Sequence, residues 1–361
     1  MSISPAAGRS ATIHDVAARA GVAASTVSRA LSNPGRVNFR TRERVEQAAA
    51  ELNYIPSSQA RALTSGRTVA VALLVPDITN PFYFDIIRGT QMQLKAAGYT
   101  QLLVDTEESA EVEAEAIEKL RKSADGVILT ASRLTDDELS RAAATFPLVA
   151  INRGVRDVPS VVIDTPSGIG QALDHLVSLG HRRVAYISGP AGSWSNARRW
   201  QALQRHASDL GLDVVKIGNF PPKMTSGAAA ADAAVNQAVT ACVAFNDLIA
   251  IGMLQRLAER GIQVPDQMSI VGCDDIFGAE FCNPPLTTLT APIEQAGRVA
   301  ITMLLGRLNP TGGTAPRQLS TLPTHLTVRA STGPAPSRAD PNADAPTDPA
   351  STGTAPTRSA P

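Results

Sequence analysis

From residue 68 onward the sequence alternates between short apolar runs and longer segments with helical periodicity. The run at 69–76, VAVALLVP, is apolar throughout, which is typical of a parallel strand covered on both faces. Comparable runs recur at 101–105, 125–130, 147–152 and 160–164. A second series of the same kind begins after Pro166. Because strands that alternate with helices form parallel sheets, the pattern predicts an α/β body of two doubly wound sheets.

The N-terminal segment has a different pattern, which predicts a helix, a tight turn and a second helix. Thr12 and Asp15 have the spacing of a capping box, and Gly21 suits the left-handed residue that ends a helix. Val27 and Leu31, four residues apart, give the second helix its buried face. Two short helices joined by a glycine-containing turn are typical of DNA-binding helix-turn-helix units. An αα-hairpin of ordinary core residues is the alternative.

The segments around these two regions have weaker patterns. Asn38 is predicted to cap a third helix. Residues 57–64 follow Pro56 and predict a short helix, which at that length forms only when something packs on it. Residues 1–11 and 331–361 are rich in small residues and proline, and we predict that both are disordered.

Charge and cysteine content restrict the class of protein. The whole chain has no net charge, but residues 1–66 carry eight arginines and four acidic residues. A basic head on a mildly acidic body fits a head that contacts phosphate. The three cysteines are too few and too scattered for a disulfide framework or a metal site. No signal peptide or membrane span is evident, so we expect a cytoplasmic protein without metal or cofactor.

Six segments carry more specific motifs. They are DVAARAGVAASTVSRAL, ELNYIP, DITNPFYFDIIRG, SLGHRRVAYISGP, FNDLIAIGM, and IVGCDD followed by PPLTTL. In their order and spacing, over about residues 12–330, they resemble the LacI/GalR (lactose-repressor type) family of bacterial transcriptional regulators. The resemblance implies a multidomain chain with an all-α helix-turn-helix head and a hinge helix. An α/β periplasmic-binding-protein-like effector domain of two doubly wound parallel-sheet subdomains would follow.

The resemblance also implies domain boundaries. The head would span 12–56, the hinge helix and linker 57–66, and the effector-binding domain 67–330. Within that domain, the N-subdomain would take about 68–163 and 291–321, and the C-subdomain about 164–290 and 322–330.

The resemblance places the second helix of the head in the major groove of DNA. It implies that Ala24, Ser25 and Arg29 face the bases, where Arg29 can pair bidentately with guanine and Ala24 offers only a methyl group. The family often has serine at the position of Ala23, so the cap of this helix is missing here.

Other residues are expected to contact the DNA backbone or the minor groove. The phosphate candidates are Thr12, Thr26, Ser28 and Asn33. A local hydrogen bond to the backbone is the alternative role for Ser25, Thr26 and Ser28. By resemblance, two hinge helices would push Leu63 between base pairs and kink the DNA, with Ala60 at the floor of the groove.

Polar and aromatic side chains follow several predicted strands, where open α/β sheets bind ligands. The effector candidates are Asn80, Phe82, Tyr83, Asn152, Arg153, Trp194, Arg199, Asn246 and Asp274. Carboxylates and amides suit vicinal hydroxyl groups, and aromatic rings cover the apolar faces of sugars. Arg153 leaves an acidic ligand open. Asp247 can cap a helix instead of touching a ligand, and Asp275 is expected to brace the loop.

We therefore predict a homodimeric repressor of a near-palindromic operator, switched by a small sugar, polyol or sugar acid. The sequence does not fix the direction of the switch, although an inducer is the expectation. The alternatives are a sugar sensor without DNA function and an enzyme on the same fold. No nucleophile, phosphate-binding or metal motif appears, which disfavours the enzyme.

Overall fold

A computed structural model describes residues 11–32, 34–54, 67–309 and 319–336. The predicted hinge helix at 57–64, with Ala60 and Leu63, lies outside the described residues, as does the phosphate candidate Asn33.

The head is formed by three helices, α1 (Ile13–Ala20), α2 (Ala24–Ser32) and α3 (Phe39–Glu51). Val16, Val27 and Val45, one from each helix, are completely buried where the helices meet. The three helices predicted from the sequence are confirmed.

The ends of the head helices follow the predicted capping pattern. Thr12 N donates to Asp15 Oδ2 at 2.7 Å, and Asp15 N donates to Thr12 Oγ1 at 3.4 Å. Gly21 has a φ of +65°, which ends α1 in the left-handed region. Asn38 Oδ1 accepts from Arg40 N at 3.0 Å at the start of α3. A domain of about 40 residues buries little apolar surface, so these local hydrogen bonds are needed to stabilise its short helices.

Two six-stranded sheets form the body. The first has the order β11-β5-β4-β3-β1-β2 and is parallel throughout. Its strands are β1 (Ala70–Val75), β2 (Thr100–Asp105), β3 (Gly126–Thr130), β4 (Leu148–Ile151), β5 (Ser160–Ile163) and β11 (Leu319–Leu322).

The second sheet has the order β12-β10-β9-β8-β6-β7 and is parallel except at its edge, where β12 runs antiparallel to β10. Its strands are β6 (Arg183–Ile187), β7 (Asp213–Ile217), β8 (Ala241–Ala244), β9 (Ser269–Cys273), β10 (Thr287–Thr290) and β12 (His325–Thr327). The chain crosses between the sheets after β5, β10 and β11. The prediction of two doubly wound sheets is confirmed.

Helices cover both faces of the sheets. They are α4 (Phe82–Ala96), α5 (Ala110–Leu120), α6 (Asp136–Thr145), α7 (Thr165–Ser178), α8 (Trp194–Leu210), α9 (Gly227–Asn236), α10 (Asp247–Glu259) and α11 (Ile293–Leu308). Helices α4 and α11 approach so closely that glycine is required: a Cβ on Gly89 would lie 2.1 Å from Glu294 O. Among the described helices, none has the length and apolar content that crossing a membrane requires.

The C-terminal part of the body differs from the sequence-based prediction. Strand β11 was not predicted from the sequence, and Leu322, which was assigned to the second subdomain, pairs with Ile163 in the first sheet. In the four-residue segment LSTL only the last residue is buried and the segment lies at a sheet edge, so it lacks the apolar run that marks the buried strands.

The prediction also places the start of the disordered tail, at residue 331, too early in the chain. Ser331 is completely buried; its Oγ accepts from Thr287 N at 2.8 Å and donates to Ile270 O at 2.6 Å. Ala335 N donates to Leu179 O at 2.8 Å. The prediction is wrong for residues 331–335, because these small residues are held by hydrogen bonds to the second sheet and need no apolar periodicity. Residues from 337 onward lie outside the described part of the chain.

Candidate functional site

Helix α2 presents a polar face to solvent on the side opposite its buried Val27. Ser25, Ser28 and Arg29 are exposed, whereas Ala24 and Thr26 are half-buried. Arg29 Nε donates to Ser25 O at 3.3 Å, so its guanidinium lies along its own helix. This face has the geometry of a recognition helix.

Thr12 has a different local role. Its Oγ1 donates to Asp15 Oδ2 at 2.7 Å and accepts from Asp15 N, so the hydroxyl belongs to the cap of α1. A phosphate contact by Thr12 remains a prediction. To make that contact, the hydroxyl would have to give up or share its hydrogen bond with Asp15.

A narrow cleft lies between the two sheets, at the carboxyl ends of their strands. Seven of the nine effector candidates line it: Asn80, Phe82, Tyr83, Asn152, Arg199, Asn246 and Asp274. The cleft holds about 30 Å³ of free space, whereas one water molecule requires about 10–15 Å³. It opens into a wider recess of about 850 Å³ at its mouth.

Arg199 and Asp274 form a buried pair at the floor of the cleft. Arg199 Nη2 lies 3.7 Å from Asp274 Oδ1, and Arg199 Nη1 donates to Phe245 O. The guanidinium lies 4.8 Å from the centre of the Phe245 ring, over its face. Burial raises the pKa of Asp274 to about 8, although Arg199 opposes that shift. This carboxyl can therefore carry a proton near neutral pH and donate a hydrogen bond.

Two buried polar atoms in the cleft have no hydrogen-bond partner among the described residues: Asn152 Oδ1 and Arg199 Nε. Asn152 is 4% exposed and Arg199 is 3% exposed. A buried polar group without a partner costs about 1–3 kcal/mol, so such atoms are few in a folded protein. Arg42 Nε and Arg153 Nε, outside the cleft, are the other two among the described residues.

Asn246 lines the cleft, but both ends of its amide are already bonded. Its Oδ1 accepts from Ile249 N at 3.1 Å at the start of α10, and its Nδ2 donates to Pro222 O at 3.2 Å. The helix cap expected of Asp247 is thus supplied by its neighbour. Asp247 points into the protein, where it accepts from Thr288 Oγ1 at 2.5 Å.

Arg153 and Trp194 do not line the cleft, contrary to the prediction. Arg153 Nη2 donates to Asp136 Oδ1 at 2.7 Å and to Leu134 O at 3.0 Å. Asn152 follows the end of β4 with a φ of +56°, so the backbone turns there and carries Arg153 away from the cleft. The ring of Trp194 covers Gly154, where a Cβ would lie 3.2 Å from Trp194 Cζ2.

Asp275 lies beside the cleft residue Asp274 and braces its loop, as the sequence predicted, because Arg329 Nη2 donates to Asp275 Oδ1 at 2.7 Å. Ala202, three residues after Arg199 on α8, packs in the core of the second sheet and not on the cleft.

Sequence reasoning missed an ion pair on the first-sheet side of the cleft. Glu108 and Arg133 line both the cleft and its mouth. Arg133 Nε donates to Glu108 Oε2 at 2.7 Å, and Arg133 Nη1 donates to Ala131 O at 2.9 Å. Each residue stands three positions after a strand, β2 or β3, so the rule that ligands bind at carboxyl ends could have found them.

Unfavourable backbone conformations are concentrated at this cleft. Glu108, Ala131, Asn152 and Asp274 have φ values of +58°, +45°, +56° and +131°, and each follows a different strand. Such conformations cost about 1 kcal/mol or more for residues other than glycine, and they cluster at functional sites. Among the described residues, no group of three or more His, Cys, Asp or Glu side chains could hold a metal ion.

Comparisons with known proteins agree with this architecture. Residues 12–57 match the family model described as bacterial regulatory proteins, lacI family, and residues 173–332 match the periplasmic binding protein-like domain. The HTH-type transcriptional regulator DegA of Bacillus subtilis (strain 168) is 35% identical over 337 residues, which cover 90% of this chain and 98% of DegA. The HTH-type transcriptional repressor CytR of Escherichia coli (strain K12) is 34% identical over 306 residues, 82% of this chain and 90% of CytR.

Solved structures show the same fold. The lac repressor dimer bound to operator and the anti-inducer ONPF matches with a TM-score of 0.80 and 25% identity, covering 90% of this chain and 100% of that one. The transcriptional regulator CelR–cellobiose complex matches with a TM-score of 0.65 and 32% identity, covering 89% and 99%. The chain belongs to the LacI family of bacterial regulatory proteins and is a DNA-binding transcriptional regulator, not an enzyme.

Proposed function

We propose that the protein is a homodimeric repressor that binds a near-palindromic operator and releases it when a small sugar or polyol enters the cleft. The unpartnered Asn152 Oδ1 and Arg199 Nε carry this proposal, because one ligand that offers both a donor and an acceptor would satisfy them together. Relatives named as repressors and a family structure that holds cellobiose support the role and the ligand class.

At the DNA end, Ser25 and Arg29 would read bases, with Ala24 in reach of a thymine methyl group. Arg29 would leave Ser25 O and pair with O6 and N7 of guanine. Thr12, Thr26, Ser28 and Asn33 would hold the phosphate backbone, and Ala60 and Leu63 would contact the minor groove. Because α2 offers few base-reading side chains, the DNA kink would supply part of the specificity.

At the effector end, ligand binding would change the angle between the two subdomains. Asn80 and Asn152 lie on the first-sheet side of the cleft, and Arg199 and Asp274 lie on the second-sheet side. Ser195 Oγ donates to Asn152 O across the cleft at 3.4 Å. A ligand that inserts between these groups must separate them. The hinge segments of a dimer would then move apart and bind DNA less tightly, as expected for an inducer.

An exposed apolar face supports assembly into a dimer. Phe277 and Phe281 are 65% and 70% exposed, and their rings pack on each other at 5.7 Å. Paired exposed phenylalanines are unusual on a monomer and typical of an interface. The family structure of a dimer on operator DNA supports the same stoichiometry.

Two matched variants test the proposal. DNA binding is measured by fluorescence anisotropy with the DNA upstream of the protein's own gene, with and without candidate sugars. Arg29→Ala should weaken operator binding by about 1–3 kcal/mol, roughly 5- to 150-fold, and leave ligand binding intact. Asn152→Gly should keep operator binding and lose the response to ligand.

Asn152→Gly is also expected to raise stability by about 1 kcal/mol, because it relieves a positive φ and removes a buried amide without a partner. Binding of the wild-type protein to upstream DNA no more tightly than to random DNA would overturn the proposed function.

A further inference from the structure

We infer that the effector is an aminated sugar or polyol, whose ammonium group binds Glu108 at the junction of cleft and mouth. This inference rests on the proposed function and narrows its ligand class. It replaces the broader expectation, which included sugar acids.

The first step concerns the arginines near the mouth of the cleft. Among the described residues that line the recess, the one arginine is Arg133, which uses Nε and Nη2 on Glu108 and Nη1 on Ala131 O. Arg153, which left an acidic ligand open in the sequence, bonds Asp136 outside the cleft. Arg199 lies deeper, at the floor of the cleft, where its Nε is a donor for a ligand hydroxyl. A carboxylate or phosphate at the mouth would need a bidentate or uncompensated cation, and Glu108 already neutralises Arg133.

The second step concerns the field at the mouth. Five carboxylates line the recess: Asp77, Asp105, Glu107, Glu108 and Glu111. Only two cations, Arg133 and Lys223, face them there. A hydrogen bond from Ser109 lowers the pKa of Glu111, so this group stays ionised near neutral pH. A recess lined by one sign of charge concentrates ligands of the other sign. The mouth therefore attracts cations and repels anions.

The third step is the conformation that places Glu108 at the junction. Glu107 and Glu108 have φ values of +53° and +58°, an unfavourable pair for residues with a Cβ. Hydrogen bonds from Glu107 N to Asp105 Oδ1 and from Glu108 N to Pro76 O hold the turn. Arg133 donates to Oε2 of Glu108, and no described residue donates to Oε1. A strained turn thus holds a carboxylate with one oxygen free at the entrance to the cleft.

An independent observation points to a ligand deeper in the same cleft. Asn152 Oδ1 is a buried acceptor without a partner, on the lining shared with Glu108. Its requirement is an N–H or O–H donor. A polyhydroxylated amine supplies hydroxyl groups for Asn152 Oδ1 and Arg199 Nε and a cation for Glu108. The recess, at about 850 Å³, has room for a molecule of this size.

The test uses the full-length protein and matched probes on three scaffolds. For glucose, galactose and mannose, the neutral sugar is compared with its 2-amino form and its uronic acid by isothermal titration calorimetry near neutral pH. On any scaffold that binds, we expect the amine to bind at least about tenfold more tightly than the neutral sugar, and the acid least tightly. The advantage of the amine should shrink at least about threefold between about 20 mM and 200 mM NaCl.

The variant Glu108→Gln should reverse the expected order of binding of the amine and the acid. Glu108→Gln removes the carboxylate and leaves the Arg133 guanidinium without its partner, so the amine should lose its advantage and the acid should gain. Glu118→Gln is the matched control; Glu118 pairs with Arg121 on α5, away from the recess, and its loss should leave the order of the probes unchanged.

Two outcomes overturn the inference: an acid or neutral sugar that is the tightest member of its set, or amines that all bind more weakly than about 10 mM. If either occurs while upstream DNA is still bound and the protein still responds to a neutral or acidic ligand, only the amine is excluded. If upstream DNA is not bound, the proposed function fails whatever the probes show.

Discussion

The head and the cleft place their functional side chains in opposite ways. The head presents Ser25, Ser28 and Arg29 on the exposed face of one helix, over the core formed by its three helices. The cleft gathers buried side chains from segments that follow strands of both sheets, several of them on strained backbone. A surface that binds DNA presents solvent-exposed side chains on a fixed element. A ligand cleft excludes water from its side chains and has to open and close around the ligand.

The same residue type therefore has different energetics in the two regions. The Arg29 side chain is exposed and donates to Ser25 O of its own helix, so we expect it to contribute energy mainly when it binds DNA in place of water. Arg199 is buried beside Asp274 and would leave an unsatisfied carbonyl at Phe245 if removed. A substitution of a functional residue should therefore change DNA binding without changing stability in the head, whereas in the cleft it should change both ligand binding and stability.

The largest expected effect comes from breaking that coupling at Arg199. At about pH 9, where Asp274 is ionised, Arg199→Met should lower the free energy of unfolding by about 3–5 kcal/mol, because the buried Asp274 carboxylate and the Phe245 carbonyl lose their partner. Urea denaturation measures the change. Arg29→Ala is the control in the head and should change stability by less than about 0.5 kcal/mol.

The double variant Arg199→Met/Asp274→Leu sharpens this result. An apolar pair of similar volume replaces a buried ion pair at little cost, so the double variant should be more stable than Arg199→Met alone. Equal or lower stability of the double variant would show that Asp274 is held by other contacts.

The next effect concerns residues 331–335. Like the residues of the cleft, and unlike the caps of the head helices, they bond partners that are distant in the sequence. A stop codon after Ala330 removes the hydrogen bonds of Ser331 and Gly333 to the second sheet and that of Ala335 to Leu179 at the end of α7. We expect a loss of about 2–4 kcal/mol, at roughly 0.5–1 kcal/mol for each of four such hydrogen bonds, measured by thermal or urea unfolding. A stop codon after Pro336 is the matched control and should have no effect. Equal effects of the two truncations would contradict this account.

The same contrast explains what the sequence could predict. In the head, Thr12, Gly21 and Asn38 act on backbone groups within four residues, so pattern and capping rules located each helix. In the body, continuous apolar runs located the buried strands. Where the sequence failed, at β11 and at residues 331–335, the segment is held by partners more than 40 residues away.

The cleft was predictable in part. Its position followed from the rule for carboxyl ends of strands, and seven candidates lie there. The direction of a side chain after a strand depends on one φ value, as at Asn152, so Arg153 was misplaced while its neighbour was not. Glu108 and Arg133 come together only because β2 and β3 flank β1 in the sheet, which spacing along the chain does not reveal.

The remaining effect on stability concerns protons, and it separates a fully buried carboxylate from a half-buried one. Burial raises the pKa of Asp274 to about 8, whereas hydrogen bonds from Arg256 lower the pKa of the half-buried Asp232. A group whose pKa is higher in the folded protein than in the unfolded chain stabilises the folded protein at low pH. For Asp274 this contribution is complete below about pH 4, the pKa of an unfolded aspartate, and it is lost as the pH rises toward 8. Asp232 acts in the other direction, because its contribution is present above pH 4 and lost on acidification.

Asp274→Asn should therefore flatten the decline in unfolding free energy between about pH 4 and pH 8. The amide keeps the shape of the side chain, so the difference between the two profiles reports the proton and not the packing. Asp232→Asn should leave this interval unchanged and alter only the acid limb below it. Urea titrations at a series of pH values measure both profiles, and parallel profiles for wild type and Asp274→Asn would show that Asp274 is ionised in the folded cleft.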